Sequence, residues 1–186
     1  MSFRYEIRLS GEGGQGLVLA GKILAEAAAV YDDLNATQSQ SYGPEARGGA
    51  SRSEVIISDE EIDYPKAVNI DLLLALTQES CDRYGRDLKP KGILLVDSEA
   101  VKRPPQGDFT VISVPIIGLA RDRVGRALVA NIVALGFIAG ISNIVSEKSL
   151  RSAIEARVPK GTEQLNLSAF SIGLDEARAI MKEGQK

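Results

Sequence analysis

The chain has 186 residues, of which 44% are hydrophobic and 25% charged, and its formal net charge is −3. Those figures describe an ordinary globular protein of one domain, residues 1–186, long enough to bury a core, with no basic field to attract nucleic acid. With no histidine and a single cysteine, the sequence excludes Ser-His-Asp and Cys-His catalysis, histidine zinc sites, an internal disulfide and an iron–sulfur cluster held by this chain alone.

The N-terminal "MSFRYEIRLS" alternates polar and apolar residues and lacks the apolar core of a signal peptide, so a cytoplasmic chain is expected. Residues 4–10 read as a first strand. The glycine-rich "GEGGQG" follows at once, and "LVLAGKILAEAAAV", 17–30, reads as a helix packed on a sheet. Two further strands are expected at 35–41 and 51–58. The connection between them, "YGPEARGGA", is too short for a helical crossover, so one of the pair must run antiparallel. "NIDLLLALT", 69–77, and "GILLVDS", 92–98, have the continuous apolar runs of strands buried on both faces. "DFTVISVP", 108–115, gives one more strand.

Beyond Pro115 the chain reads as helical. "IIGLARDRV" and "ALVANIVALGFIAGI" are expected as helices, the second rich in small residues that allow close packing. Its apolar run is broken by Asn131, Gly136 and Gly140, which suits a buried helix better than a membrane span. "SEKSLRSAIEARV" opens on Ser146 with an acid and closes with a base, as a helix dipole favours. "TEQLNLSAFSIGLDEARAIMKEG" is a last helix, with a bend expected near Gly173. The order of elements specifies an α/β fold: a Rossmann-like three-layer sandwich, its sheet mostly parallel with an antiparallel strand, and a helical C-terminal part.

Gly11, Gly13 and Gly16 fit the spacing G-x-G-x-x-G between a strand and a helix. The first N–H groups of a helix have no internal partners and carry the positive end of its dipole, and glycine lets an anion approach without a Cβ in the way. The bland reading of the turn is a tight connection that needs glycine's dihedrals. NAD does not fit, because the second strand ends in "SQS", with no carboxylate to grip a ribose hydroxyl. Asp32 and Asp33 come before that strand and read as a solvated helix end. A Walker A loop is excluded, since no Gly-Lys-Ser/Thr follows.

A second polar loop, "QSQSYGPEARGGASRSEV", 38–55, carries Arg47 and Arg52, either of which could grip a phosphate or carboxylate or simply rim a solvated turn. After the buried strand, Thr77 and Gln78 could bond a ligand or cap a helix. Cys81 reads as a passive, partly buried thiol, with a reactive thiolate at a helix start the other reading. Asn131, set in an apolar helix, requires a partner for its amide, expected in a neighbouring loop.

Taken together, "GEGGQG", "QSYGPEARGGASRSEVIIS", "IDLLLALTQES" and the asparagine of "ALVANIVALGFIAG" resemble the gamma subunit of 2-oxoacid:ferredoxin oxidoreductases over residues 5–180. The segment "SYGPEARGG" is the most specific part, and the match looks most like the 2-oxoglutarate type. The resemblance implies oxidative decarboxylation of a 2-oxoacid on thiamine diphosphate, with electrons passing to ferredoxin and the acyl group to coenzyme A. It places thiamine diphosphate, magnesium and the iron–sulfur clusters on alpha, beta and delta or ferredoxin-like partner subunits. This chain lacks both the cysteine set and the thiamine signature, and no residue of it is expected to be catalytic or to bind metal. Coenzyme A is the ligand the resemblance links to it. Gly11, Gly13, Gly14, Gln15 and Gly16 match the family's first loop, and Tyr42, Gly43, Arg47, Gly48 and Gly49 its second. No nucleic acid or membrane partner is implied, and without its partners the chain is expected to pair with itself. The competing expectations are a pure assembly subunit whose loops are all interface, and, less well supported, an NAD-binding reductase.

Overall fold

The most apolar strand, Ile70–Ala75, is buried at every position, because it lies at the centre of a sheet covered on both faces. A computed structural model describes residues 2–41 and 50–184. In chain order the elements are β1 (Arg4–Glu12), α1 (Leu17–Glu26), β2 (Asn35–Ser41), β3 (Ala50–Ser58), β4 (Ile70–Ala75), α2 (Gln78–Tyr84), β5 (Leu88–Asp97), β6 (Thr110–Val114), α3 (Ile116–Leu119), α4 (Ala130–Ser142), α5 (Glu147–Arg157) and α6 (Glu163–Glu183). The six strands lie in the order β2-β3-β1-β4-β5-β6. β1, β4, β5 and β6 run parallel, and β3 is antiparallel to both its neighbours, β1 and β2. The expected mostly parallel sheet with an antiparallel strand is therefore present, and β3 is that strand.

The two faces of the sheet are covered unequally. On one, Ile7, Leu9, Val55, Ile57, Leu72 and Leu74 pack beneath α1, α4, α5 and α6. On the other, Ile56, Leu73, Leu94 and Val96 pack beneath Cys81 and Tyr84 of the short α2. α4 is buried on nearly every side, which explains why its sequence is apolar all round. Gly136 of α4 faces Gly173 of α6. An added Cβ would come within 2.2 Å of the Phe170 carbonyl oxygen at the first, and within 2.0 Å of the Val133 oxygen at the second. α6 is one continuous helix through Gly173. The bend expected there is replaced by a close helix–helix contact that only glycine permits.

Several boundaries differ from the sequence reading for local reasons. The helix expected over 17–30 turns into a π turn at Ala27–Tyr31, and the one over 116–124 does the same at Ala120–Val124. The helix expected from Ala127 begins with a 3-10 turn, Ala127–Val129, before α4. β4 stops at Ala75, where Thr77 starts capping α2. β5 begins at Leu88 rather than 92. Leu88 pairs with Ile70 and Ile93 with Leu72, so "KPKG" is carried through a register shift, with Lys91 at φ 64°.

Asp32 requires a correction. It is not a solvated helix end: its carboxylate accepts hydrogen bonds from Ser146 N at 2.7 Å, Ser146 Oγ at 2.8 Å and Ser149 Oγ at 2.5 Å. It therefore joins the end of the first helical segment to the start of α5. Partial burial pushes its pKa upward, but the hydrogen bonds from Ser149 and Ser146 outweigh that and hold it below the ordinary 3.8. Cys81 is fully buried, and its thiol is pushed up to about 11 by burial and by Asp82. The passive reading of Cys81 holds.

Candidate functional site

After β1 the chain moves to one side of the sheet to form β2 and β3; after β4 it moves to the other. The switch point thus lies between the carboxyl ends of β1 and β4, where parallel-sheet folds open a crevice for ligands. Ser10 Oγ donates to the Leu74 carbonyl at 2.8 Å and Leu76 N to the Ser10 carbonyl at 3.0 Å, fixing those two ends together. The "GEGGQG" turn and Thr77–Gln78 both emerge here. β2 ends and β3 begins at this same edge, since Ser41 pairs with Arg52 and Glu12 with Ala50. Tyr42, Gly43, Arg47, Gly48 and Gly49 lie between those strands, outside the described residues.

The turn is built from its own sequence. Gly11 and Glu12 still belong to β1. The Gln15 side-chain oxygen then accepts from Glu12 N at 2.8 Å, and Gln15 N donates back to the Glu12 carbonyl at 3.3 Å. Gly14 has φ 96° and Gly16 φ 73°, the left-handed region that disfavours a side chain. Gly16 is the N-cap of α1, and among the described residues no side chain caps that helix or places an acid in its first turn. The first-turn N–H groups therefore keep their donors, and the dipole leaves partial positive charge beside them. Gly13 and Gly14 are exposed, and a Cβ on either would meet nothing within 4 Å. Space and donors coincide above the turn, which is what an anion needs.

The rear of the turn is held by α4. Asn131 Nδ2 donates to the Gly16 carbonyl at 3.0 Å, the same oxygen that receives Ala20 N at 3.0 Å. The expected bond from Asn131 to a neighbouring loop is present, and the loop is the glycine turn. A Cβ on Gly16 would lie 2.5 Å from that Nδ2.

Thr77 and Gln78 are placed at the same edge with their side chains engaged internally. Thr77 Oγ1 accepts from Ser80 N at 3.2 Å, capping α2. Gln78 Oε1 accepts from Lys102 N and Arg103 N at 2.9 and 3.0 Å, and its Nε2 donates to Asp82 and to the Arg103 carbonyl. Gln78 thus staples the 102–103 loop to the edge. Arg52 lies within 3.7 Å of the Glu54 carboxylate, with its guanidinium 5.6 Å from the Tyr84 ring centre.

Two clefts flank the turn. One, of about 270 Å³, is lined by Gly14, Gln15, Ile117, Ala127, Leu128 and Ala130. The other, of about 260 Å³, reaches from Gly16 and Leu19 past Arg126 and Asn131 to Asn166 of α6. Leu128, 74% exposed, stands between them. The sequence reading missed Arg126, Leu128 and Asn166. Asn166 carried the same signal as Asn131, an amide in a helix whose neighbours are apolar; Arg126 and Leu128 carried none. Among the described residues no cluster of His, Cys, Asp or Glu could hold a metal ion, and no helix is long and apolar enough to cross a membrane.

Comparison with known proteins gives a consistent result. Residues 6–176 match the family model described as pyruvate ferredoxin/flavodoxin oxidoreductase. The 2-oxoglutarate synthase subunit KorC of Methanocaldococcus jannaschii is 50% identical over 182 residues, 97% of each chain. Among solved structures, the gamma subunit of a keto/oxoacid ferredoxin oxidoreductase from Geobacter sulfurreducens superposes with a TM-score of 0.86 at 53% identity, covering 94% of this chain and 99% of that one. The 2-oxoglutarate:ferredoxin oxidoreductase of Magnetococcus marinus, solved with 2-oxoglutarate, coenzyme A and succinyl-CoA bound, shares the fold at a TM-score of 0.83 and 23% identity. Its match covers 95% of this chain but 31% of that longer one.

Proposed function

The chain belongs to the pyruvate ferredoxin/flavodoxin oxidoreductase family, and from that premise we propose that its glycine turn serves the coenzyme A of the shared reaction. It is a gamma subunit of a 2-oxoacid:ferredoxin oxidoreductase, of the 2-oxoglutarate synthase kind. The enzyme converts a 2-oxoacid, coenzyme A and oxidised ferredoxin to acyl-CoA, carbon dioxide and reduced ferredoxin. In our reading this chain is a single domain that works in the cytoplasm and supplies binding surface rather than reacting groups. Thiamine diphosphate, magnesium and iron–sulfur clusters sit on the alpha, beta and delta or ferredoxin-like subunits, and ferredoxin meets the complex there.

The observation that carries the coenzyme reading is the uncapped N-terminus of α1 beneath an exposed glycine turn at the sheet's switch point. Gly13, Gly14 and Gly16 offer backbone donors to the phosphates, and Gly11 and Gln15 shape the turn beneath them. Tyr42, Gly43, Arg47, Gly48 and Gly49 of the second loop are read as further ligand contacts, Arg47 as the charged partner. Thr77 and Gln78 hold the floor of the crevice. NAD is disfavoured on geometry: the neighbour of β1 on that side is the antiparallel β3, and Asp32 is committed to α5.

In the assembled enzyme, Arg47→Ala or Gly14→Val is expected to raise the KM for coenzyme A roughly ten- to a hundredfold, the loss expected for a charge-assisted contact. The oxoacid-dependent half-reaction, followed in a single turnover without coenzyme, serves as the internal control and moves far less. The second reading, a pure assembly subunit, is favoured by the exposure of Leu128. It wins if both variants assemble and keep the wild-type coenzyme dependence. The isolated chain, supplied with oxoacid, thiamine diphosphate, magnesium, coenzyme A and viologen, should show no turnover. It should self-associate, most simply as a two-fold dimer, which light scattering would register.

A further inference from the structure

The connection from β3 to β4, residues 59–69, crosses the amino end of β1 without helix or strand, yet its backbone is tied down along its length. Asp59 Oδ1 accepts from Phe3 N at 2.8 Å. Arg4 Nη2 donates to the Tyr64 and Lys66 carbonyls at 2.8 and 3.1 Å. Glu6, buried, accepts from Val68 N at 2.6 Å and Asn69 N at 2.7 Å. Ile62 and Ala67 anchor the segment from below, in the core cluster that lies under α2. A buried carboxylate and a guanidinium are thus committed to fixing one arm of chain.

What this fixed arm turns outward is apolar. Tyr64 is 53% exposed and Val68 57%, and Phe3, bonded to the arm through its N–H, is 36% exposed. Tyr64 and Val68 line the amino-edge cavity of about 530 Å³, whose ion pairs, Arg4 with Glu6 and Lys89 with Asp71, are already matched. One exposed apolar side chain is ordinary, but three on one rigid frame beside an open cavity make a contact patch. Aromatic groups on a backbone already fixed lose little freedom on contact, which is the economy of a preorganised interface.

The charge of the arm says what covers that patch. Residues 59–68 carry Asp59, Glu60, Glu61 and Asp63 against the lone Lys66, a net −3, equal to the formal net charge of the whole chain. All four carboxylates are exposed, and none is in an ion pair among the described residues. A second copy of this chain is a poor occupant, because a two-fold contact sets arm against arm and like charge against like. A surface of apolar side chains edged with lysine or arginine complements both features, and its cations can also lie over the Tyr64 ring.

We propose that Phe3, Tyr64 and Val68, with the acidic arm around them, dock a basic-edged apolar face of another subunit of the same oxidoreductase. The chain is then anchored by its amino edge, and the glycine turn at the carboxyl edge stays uncovered by that contact. The proposal needs only that the chain is one subunit of a larger enzyme, and it is independent of the coenzyme reading of the turn.

The test uses the full set of subunits, with this chain wild-type or changed. In hydrogen exchange, segment 59–69 of the wild-type chain should exchange more slowly in the assembled enzyme than in the free chain. Tyr64→Ala together with Val68→Ala should weaken binding to the remaining subunits about tenfold or more, the scale of truncated central contacts. Glu60→Lys, Glu61→Lys and Asp63→Lys together should slow association about tenfold at low salt and remove most of its salt dependence. Carbodiimide, which joins a carboxylate to an amine as an amide with loss of water, should link Glu60, Glu61 or Asp63 to a lysine of another subunit. Melting curves check that the changed chains fold; if they do not, the wild-type exchange and cross-links decide. If 59–69 exchanges alike in free and assembled chain, and both sets of changes bind as wild type, the arm is only a connection and the proposal is overturned. Cross-links solely to a second copy of this chain, with subunit affinity unchanged in the variants, overturn it as well and make the patch a self-contact.

Discussion

The two edges of the sheet carry clefts of opposite character. At the amino edge a cavity of about 530 Å³ is lined by Arg4, Glu6, Tyr64, Val68, Asp71 and Lys89. It is larger than either cleft at the carboxyl edge, yet its charges are spent on one another. Glu6 accepts from Arg4 Nε at 2.7 Å and from the backbone N–H groups of Val68 and Asn69 at 2.6 and 2.7 Å. Asp71 accepts from Glu6 N at 2.9 Å and pairs with Lys89. At the carboxyl edge the first turn of α1 keeps backbone donors that no side chain caps among the described residues. The lesson is that unspent hydrogen-bonding capacity, rather than volume, distinguishes a ligand site from a structural joint.

If the amino edge is a joint, breaking it should cost stability and leave the coenzyme alone. Glu6→Ala strands the buried ends of three donors, so a loss of about 3 kcal/mol is expected, with the KM for coenzyme A unchanged. Denaturant unfolding and steady-state kinetics on the assembled enzyme measure the two halves of that claim. A stable variant with altered coenzyme dependence would erase the distinction between the edges.

Within the carboxyl edge the account separates two glycines with similar backbones. Gly16→Ala adds a Cβ against Asn131 to an already left-handed φ, and should cost about 2–3 kcal/mol. Gly14→Ala meets open space and should cost only about 1 kcal/mol from backbone strain. Equal losses would mean that the Asn131–Gly16 bond does not hold the turn.

The smallest effect is a pH dependence far from either edge. Asp32 has a folded pKa held below its ordinary 3.8 by Ser149 and Ser146, after the opposing effect of burial. A depressed carboxylate contributes stability that is fully present above the unfolded value and is lost as pH falls through the folded one. Asp32→Asn should therefore flatten the acid limb of stability below about pH 4, which thermal melts across that range would show. An acid limb unchanged in Asp32→Asn would remove Asp32 as the tie between the first helical segment and α5.

Much of this was legible in the chain. Continuous apolar runs announced β4 and β5, the short 42–49 connection forced an antiparallel neighbour, and Ser146 marked the start of α5. The glycine turn was legible because its spacing, a strand before and a helix after are all local. What escaped reading depended on distant partners. Asp32 looked like a solvated end because its acceptor role requires Ser146 and Ser149, more than a hundred residues away. Gly173 looked like a bend because a helical glycine in sequence does not reveal the Gly136 opposite it. "KPKG" looked like a turn because a register shift exists only between paired strands. Arg126 and Leu128 gave no local sign, since their place beside the turn is fixed by how α4 packs under α1.

The most direct test of the account is a paired measurement of coenzyme A dependence in the assembled enzyme, with Gly14→Val at the carboxyl edge and Glu6→Ala at the amino edge. The account predicts a KM raised about tenfold or more in the first and a wild-type KM, with lowered stability, in the second. A wild-type KM in a correctly assembled Gly14→Val enzyme would contradict it, and would make the glycine turn a joint like the one at the other edge.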